Sequence, residues 1–168
     1  IDVLPTTAFH NVEIDANHSW TRPNVATAPG DVLNASNDLR HTDGYITGLF
    51  AVKGNLFLGA GADGGTGLIT VDGNGTQQYQ VAPGTPRTCR LEVNKPSGTF
   101  TPAPGTTDLL VQAFSLVARD FTAPSGELNT GGTWSTSQTL FNHAGGTFHH
   151  NNGTLVINPN CNAGPMLT

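Results

Sequence analysis

The chain is short of charge. Seven Lys and Arg with twelve Asp and Glu make up 11% of its 168 residues, against about 25% in an ordinary soluble protein. At a net charge of −5, the scattered cations cannot form the basic patch that duplex binding requires, so nucleic acid is excluded as a partner. Long apolar runs are missing as well. None approaches the ~18 residues of a membrane helix, so no membrane insertion is expected. No basic segment followed by an apolar one opens the chain, and Ile1 is read as the start of a mature protein or of an excised piece. The Ala, Glu, Lys, Leu and Arg content of a helical bundle or coiled coil is absent. Cysteine is limited to Cys89 and Cys161. In an oxidising compartment these two could form one disulfide, worth about 4 kcal/mol on the loop-entropy model. The alternative is a thiol buried in a strand and another in the tail. No Cys-x-x-Cys or His-x-x-x-His spacing points to zinc.

What is abundant is turn and strand material: 21 Gly, 23 Thr and 15 Asn. Short β-type runs recur at Asn11–Ile14, Tyr45–Val52, Asn55–Leu58, Leu68–Val71, Gln78–Val81, Cys89–Val93, Thr133–Ser137 and Thr154–Ile157. Turn signals such as Asp43-Gly44, Lys53-Gly54, Asp72-Gly73 and Ser97-Gly98 separate them. The longest stretch free of Gly and Pro, Thr106–Ala123, fits either a helical face or two strands, Leu109–Gln112 and Ser115–Arg119. Internal similarity favours strands. His10–Ile14 matches Cys89–Val93, and Gly67–Asp72 matches Gly153–Asn158. These matches suggest two degenerate copies of about 80 residues, roughly 8–80 and 87–158. The counterpart of Thr106–Ala123 contains Asn34, Asn37 and Gly44, poor helix material. A unit this long holds three or four coils of roughly 20–27 residues, each burying its inward side chains against the next. The expected core includes Ile14, Leu39, Phe50, Leu56, Leu68, Ile69, Leu91, Leu110, Phe121 and Leu155. Residues 1–168 are thus read as one all-β domain, a right-handed parallel β-solenoid, with a non-strand tail at 159–168. An antiparallel jelly-roll or β-sandwich is the alternative.

Three segments carry a resemblance: Thr66–Gln77, Leu91–Thr99 and Gly146–Ile157. They resemble, in order, the degenerate solenoid repeats of large bacterial surface proteins, adhesins and fibres. In those a "GTF-x-x-x-x-GT-x-x-(V/I)" unit, a "G-x-x-x-Q" unit and an "N-L-x-(I/V)-N-K-x-x-G" unit build parallel β-solenoids. The resemblance implies that fold and an extracellular, cell-surface setting, and it carries fold better than activity. Trp20–Pro29 and Arg87–Cys89 depart from the pattern and are read as insertions.

Little in the chain points to catalysis. No nucleophile elbow, phosphate loop or dinucleotide fingerprint occurs. Asp120 beside Arg119, and Glu13 with Glu92, are the only suggestive groups. His149 and His150 would face opposite sides of a strand. Calcium is conceivable at Asp63-Gly64-Gly65 and Asp72-Gly73-Asn74, but one carboxylate per turn is thin against six to eight oxygen ligands. Trp20, in an inserted loop, is the candidate for stacking on a sugar or anchoring an interface. The expectation is a non-enzymatic structural or adhesive module of a surface protein or fibre, whose partners are copies or neighbouring repeats of itself. A glycan- or receptor-binding fibre tip is the second reading, and a jelly-roll coat or lectin domain the third.

Overall fold

The computed structural model describes residues 8–16, 25–131 and 139–158. Among them there is no helix; sixteen strands carry the regular structure, and every pairing between them is parallel. The chain winds through about six turns of a β-solenoid. An antiparallel jelly-roll is therefore overturned. Parallel strands need a connection that returns to the same end, and here the coil itself is that connection.

Each coil visits three ladders. The first holds β2 (Val12–Asp15), β5 (Leu39–Gly44), the start of β8 (Leu56–Val71), β9 (Gln77–Val81), the end of β10 (Arg87–Pro102), the end of β12 (Phe114–Thr122) and β15 (Thr147–His149). The second runs from the end of β5 through the middle of β8 and the start of β10 to β11 (Leu109–Val111), β13 (Glu127–Thr130) and β16 (Thr154–Ile157). The third holds β1 (Ala8–Phe9), β4 (Val32–Ala35), β7 (Leu49–Val52), the end of β8, the middle of β10, the start of β12 and β14 (Phe141–His143). A separate small pair joins β3 (Val25–Ala26) to β6 (Ile46–Thr47). The Thr106–Ala123 stretch resolves into β11 and β12, with Gln112–Ala113 between them.

Alternation along each strand sends every second side chain inward. Parallel register then stacks like on like, about 4.8 Å apart. On the third ladder Leu33, Phe50, Ile69, Leu91, Phe114 and Phe141 form one column. Ala35, Val52, Val71, Val93 and Leu116 form the column beside it. Towards the C-terminal end the core turns aromatic. Phe121 lies 4.6 to 6.1 Å, centroid to centroid, from Phe114, Phe148, Tyr79 and Phe100. The Tyr79 hydroxyl donates to the Thr122 carbonyl at 2.9 Å, so its one polar atom is satisfied.

The coils differ in length while the columns stay aligned. Leu39 stands over Leu56 after 17 residues, but Phe121 stands over Phe148 after 27. The excess is absorbed at corners and loops. Close approach there is severe. Gly98 has φ +72°, and a Cβ on it would lie 2.0 Å from the Gly75 carbonyl oxygen of the preceding coil.

Four sequence expectations change. Arg87–Cys89 is no insertion but the start of β10, paired with both β8 and β11. Leu68 and Leu110 are not in the core; their neighbours Ile69 and Leu109 are, a one-residue difference that inverts the face. Leu155, on the last coil, is 39% exposed. The segments matched at long range also fall on different ladders: Val12 on the first but Leu91 on the third, Ile69 on the third but Leu155 on the second. The unit that repeats face upon face is the single coil.

Candidate functional site

Buried polar groups mark the places where the column departs from plain apolar stacking. His41 is fully buried between Ile14 and Leu58. Its Nε2 lies 2.7 Å from the Gly44 carbonyl and its Nδ1 3.2 Å from the Thr88 hydroxyl. Nε2–H donating to Gly44, with Nδ1 accepting from Thr88, satisfies both nitrogens of a neutral ring. Burial lowers its pKa and keeps it in that form.

A second polar corner closes the turn after Val93. Lys95 is 2% exposed. Its ammonium donates to the Gly73 carbonyl at 2.8 Å and to the Gln77 side-chain oxygen. That oxygen also accepts from Gly73 N–H at 3.0 Å, while the Gln77 amide donates to the carbonyls of Val52 and Gly54. Four backbone groups from successive coils are thus tied by two side chains. Burial pulls the Lys95 pKa down to about 8, against the opposing pull of Asp72. Asp72 itself is held by Lys53 at 2.8 Å.

The ends of the column differ from its middle. Strands β14, β15 and β16 each pair on one side only among the described residues, as do β1 and β2. At the C-terminal end Phe141 and Phe148 are half-buried and Leu155 is exposed; at the other end Phe9 is 46% exposed. Among the described residues each end therefore offers a strand edge beside apolar side chains.

On the outer surface of the third ladder a shallow cleft of about 310 Å³ crosses four coils, from Leu68 of β8 to Asn142 of β14. Its polar lining comes from Arg90 and Glu92 of β10, Ser115 of β12, Asn142 of β14 and Thr139; Leu68 and Ala113 supply apolar floor. Arg90 Nε donates to the Gly67 carbonyl at 3.2 Å, and the Asn142 amide donates to the Ser115 hydroxyl at 3.1 Å. Register places Thr70, Glu92, Ser115 and Asn142 in one outward column.

The residues singled out from sequence are scattered. Trp20 and Cys161 lie outside the described residues. Cys89 is fully buried, where desolvation pushes its thiol up to about 12. Glu13 accepts from the Thr42 hydroxyl at 3.0 Å on the first ladder, while Glu92 stands on the third, so the two are not equivalent positions. Arg119 is turned away from Asp120 to donate to the Pro96 carbonyl at 2.8 Å. His143 lies 3.2 Å from the Gly146 carbonyl, and His150 Nδ1 accepts from the Asn152 N–H at 3.0 Å, each within a local turn. No group of three or more His, Cys, Asp or Glu converges among the described residues. Sequence reasoning missed the Lys95–Gln77 corner and the third-ladder cleft. The signal for the first lay in the Leu91–Thr99 phrase itself, where Asn-Lys precedes a Gly corner.

Comparison with family models, with curated proteins and with solved structures gave no match.

Proposed function

We propose that this chain is a non-enzymatic structural and adhesive module of an extracellular bacterial surface protein or fibre, working by coil-on-coil association with a second copy of itself. One observation carries the reading: among the described residues both ends of the column present parallel strand edges flanked by apolar side chains, Phe9 at one and Phe148 with Leu155 at the other. An unpaired edge is a template for another strand. The two ends are complementary, because the first coil of one copy continues the winding direction of the last coil of another. Such a contact is head-to-tail and, without closure, generates a filament. The low charge and the Thr- and Asn-rich composition support the extracellular assignment, as does the resemblance carried by Thr66–Gln77, Leu91–Thr99 and Gly146–Ile157.

Light scattering over a hundredfold dilution tests it. Molar mass should rise with concentration, and Leu155→Glu should hold the protein at monomer mass. A constant monomer mass in the parent chain would overturn the proposal.

A further inference from the structure

We propose that the third-ladder cleft is a binding site for a neutral oligosaccharide. Three features of the cleft converge on that class. First, β8, β10 and β12 are each paired on both sides at this level, so over these three strands no backbone edge is free to take up a peptide strand, and only β14 at the margin of the cleft has one. Over these three strands a ligand is recognised through side chains. Second, the side chains alternate in hydrogen-bonding character. Arg90 donates, Glu92 accepts, and Ser115, Thr139 and Asn142 do both. A ring bearing vicinal hydroxyls, each both donor and acceptor, matches such a set. Leu68 and Ala113 offer apolar floor for the C–H face of a pyranose. Third, the formal charges of Arg90 and Glu92 cancel, so the cleft has no net attraction for a sulfated or uronic polymer. The outward column Thr70, Glu92, Ser115 and Asn142 follows the solenoid axis, which orients an extended chain across successive coils.

The Glu92 carboxylate and the Asn142 amide are the specificity groups. Both sit on the outer surface and neither belongs to the core. Glu92 on β10 lies two coils in from the edge strand β14, so Glu92→Ala keeps the dilution behaviour of the parent chain and either proposal can fail alone.

The test is isothermal titration of the 168-residue chain with neutral gluco-, manno-, galacto- and N-acetylglucosamine oligosaccharides, and with heparin as the anionic comparator. Saturable binding of at least one neutral series is expected. Glu92→Ala and Asn142→Ala should each weaken it about 10-fold or more, the loss of a hydrogen bond to a charged or well-placed group, with the melting temperature unchanged. Should either variant melt early, amide shifts of the parent chain on titration decide: changes centred on Leu68, Glu92, Ser115 and Asn142 support the site, and changes centred elsewhere overturn it. The proposal also falls if no neutral series binds, if both variants bind like the parent, or if heparin binds more tightly with a steep salt dependence.

Discussion

Lys95 makes the stability of this fold depend on alkaline pH in a direction that can be worked out beforehand. Its ammonium is buried at the corner after Val93 and held by Gly73 and Gln77. Desolvation lowers its pKa from 10.5 to about 8. Between those two values the unfolded chain carries a proton that the folded chain has lost. Stability therefore rises with pH across that window and is flat for this group on either side. A full shift at about 1.4 kcal/mol per unit sets a ceiling near 3 kcal/mol. The hydrogen bonds that favour the ammonium reduce this, so a gain of about 1–3 kcal/mol is expected. Lys95→Met removes the titration and keeps the length of the side chain. Urea unfolding of both proteins at pH 7.5, 9 and 10.5 isolates the effect, because other lysines and tyrosines titrate in both. The parent should gain on the variant by about 1–3 kcal/mol from the lowest pH to the highest. A difference that stays constant, or shrinks, would refute the burial argument.

The aromatic ladder and the corner glycines give two more outcomes. Phe121→Ala removes the ring that touches four others and should cost about 3–5 kcal/mol in chemical denaturation. Hydrogen exchange should then show the lost protection concentrated in the coils from β10 onward, and a uniform loss along the chain would contradict nearest-neighbour stacking. Gly98 and Gly105 both have positive φ, +72° and +87°, but only Gly98 faces a backbone atom within contact. Gly105→Ala should cost about 1–2 kcal/mol from conformation alone, and Gly98→Ala distinctly more by the same urea assay. Equal costs would mean that the coils can part at that corner.

Much of the architecture was legible because two periodicities repeat so often in so few residues. Alternation at Leu68–Val71, Cys89–Val93 and Thr154–Ile157 marked strands, and Asp-Gly and Ser-Gly pairs marked corners. Poor helix material in the counterpart segment favoured two strands for the Thr106–Ala123 stretch, and β11 and β12 stand there. Face assignment was harder where two apolar residues adjoin. Leu68-Ile69 and Leu109-Leu110 read alike in sequence, and only the register with neighbouring coils decides which member points inward. Tyr79, Phe100 and Phe114 went unnoticed as core partners of Phe121 because the coil step between them varies. No fixed spacing links them. Lys95 was passed over because lysine is almost never fully buried unless paired, and its partners, Gly73 and Gln77, belong to the preceding coil. The cleft was hidden for the same reason: Arg90, Ser115 and Asn142 meet only across three coils. Trp20, the residue chosen for binding, lies outside the described residues.

The unequal coils carry a last consequence, for the order of events in folding. Every strand pairing joins a residue to another one winding away, 17 to 28 positions along the chain. No strand waits for a distant terminus to return, as it would in a sandwich or closed barrel. Once two windings have zipped together, each later one adds to a finished template at the modest loop-closure cost of its own length. Such a chain can acquire structure progressively from one end while the remainder is still being delivered. A loop lengthened at one corner would slow only the step that closes it.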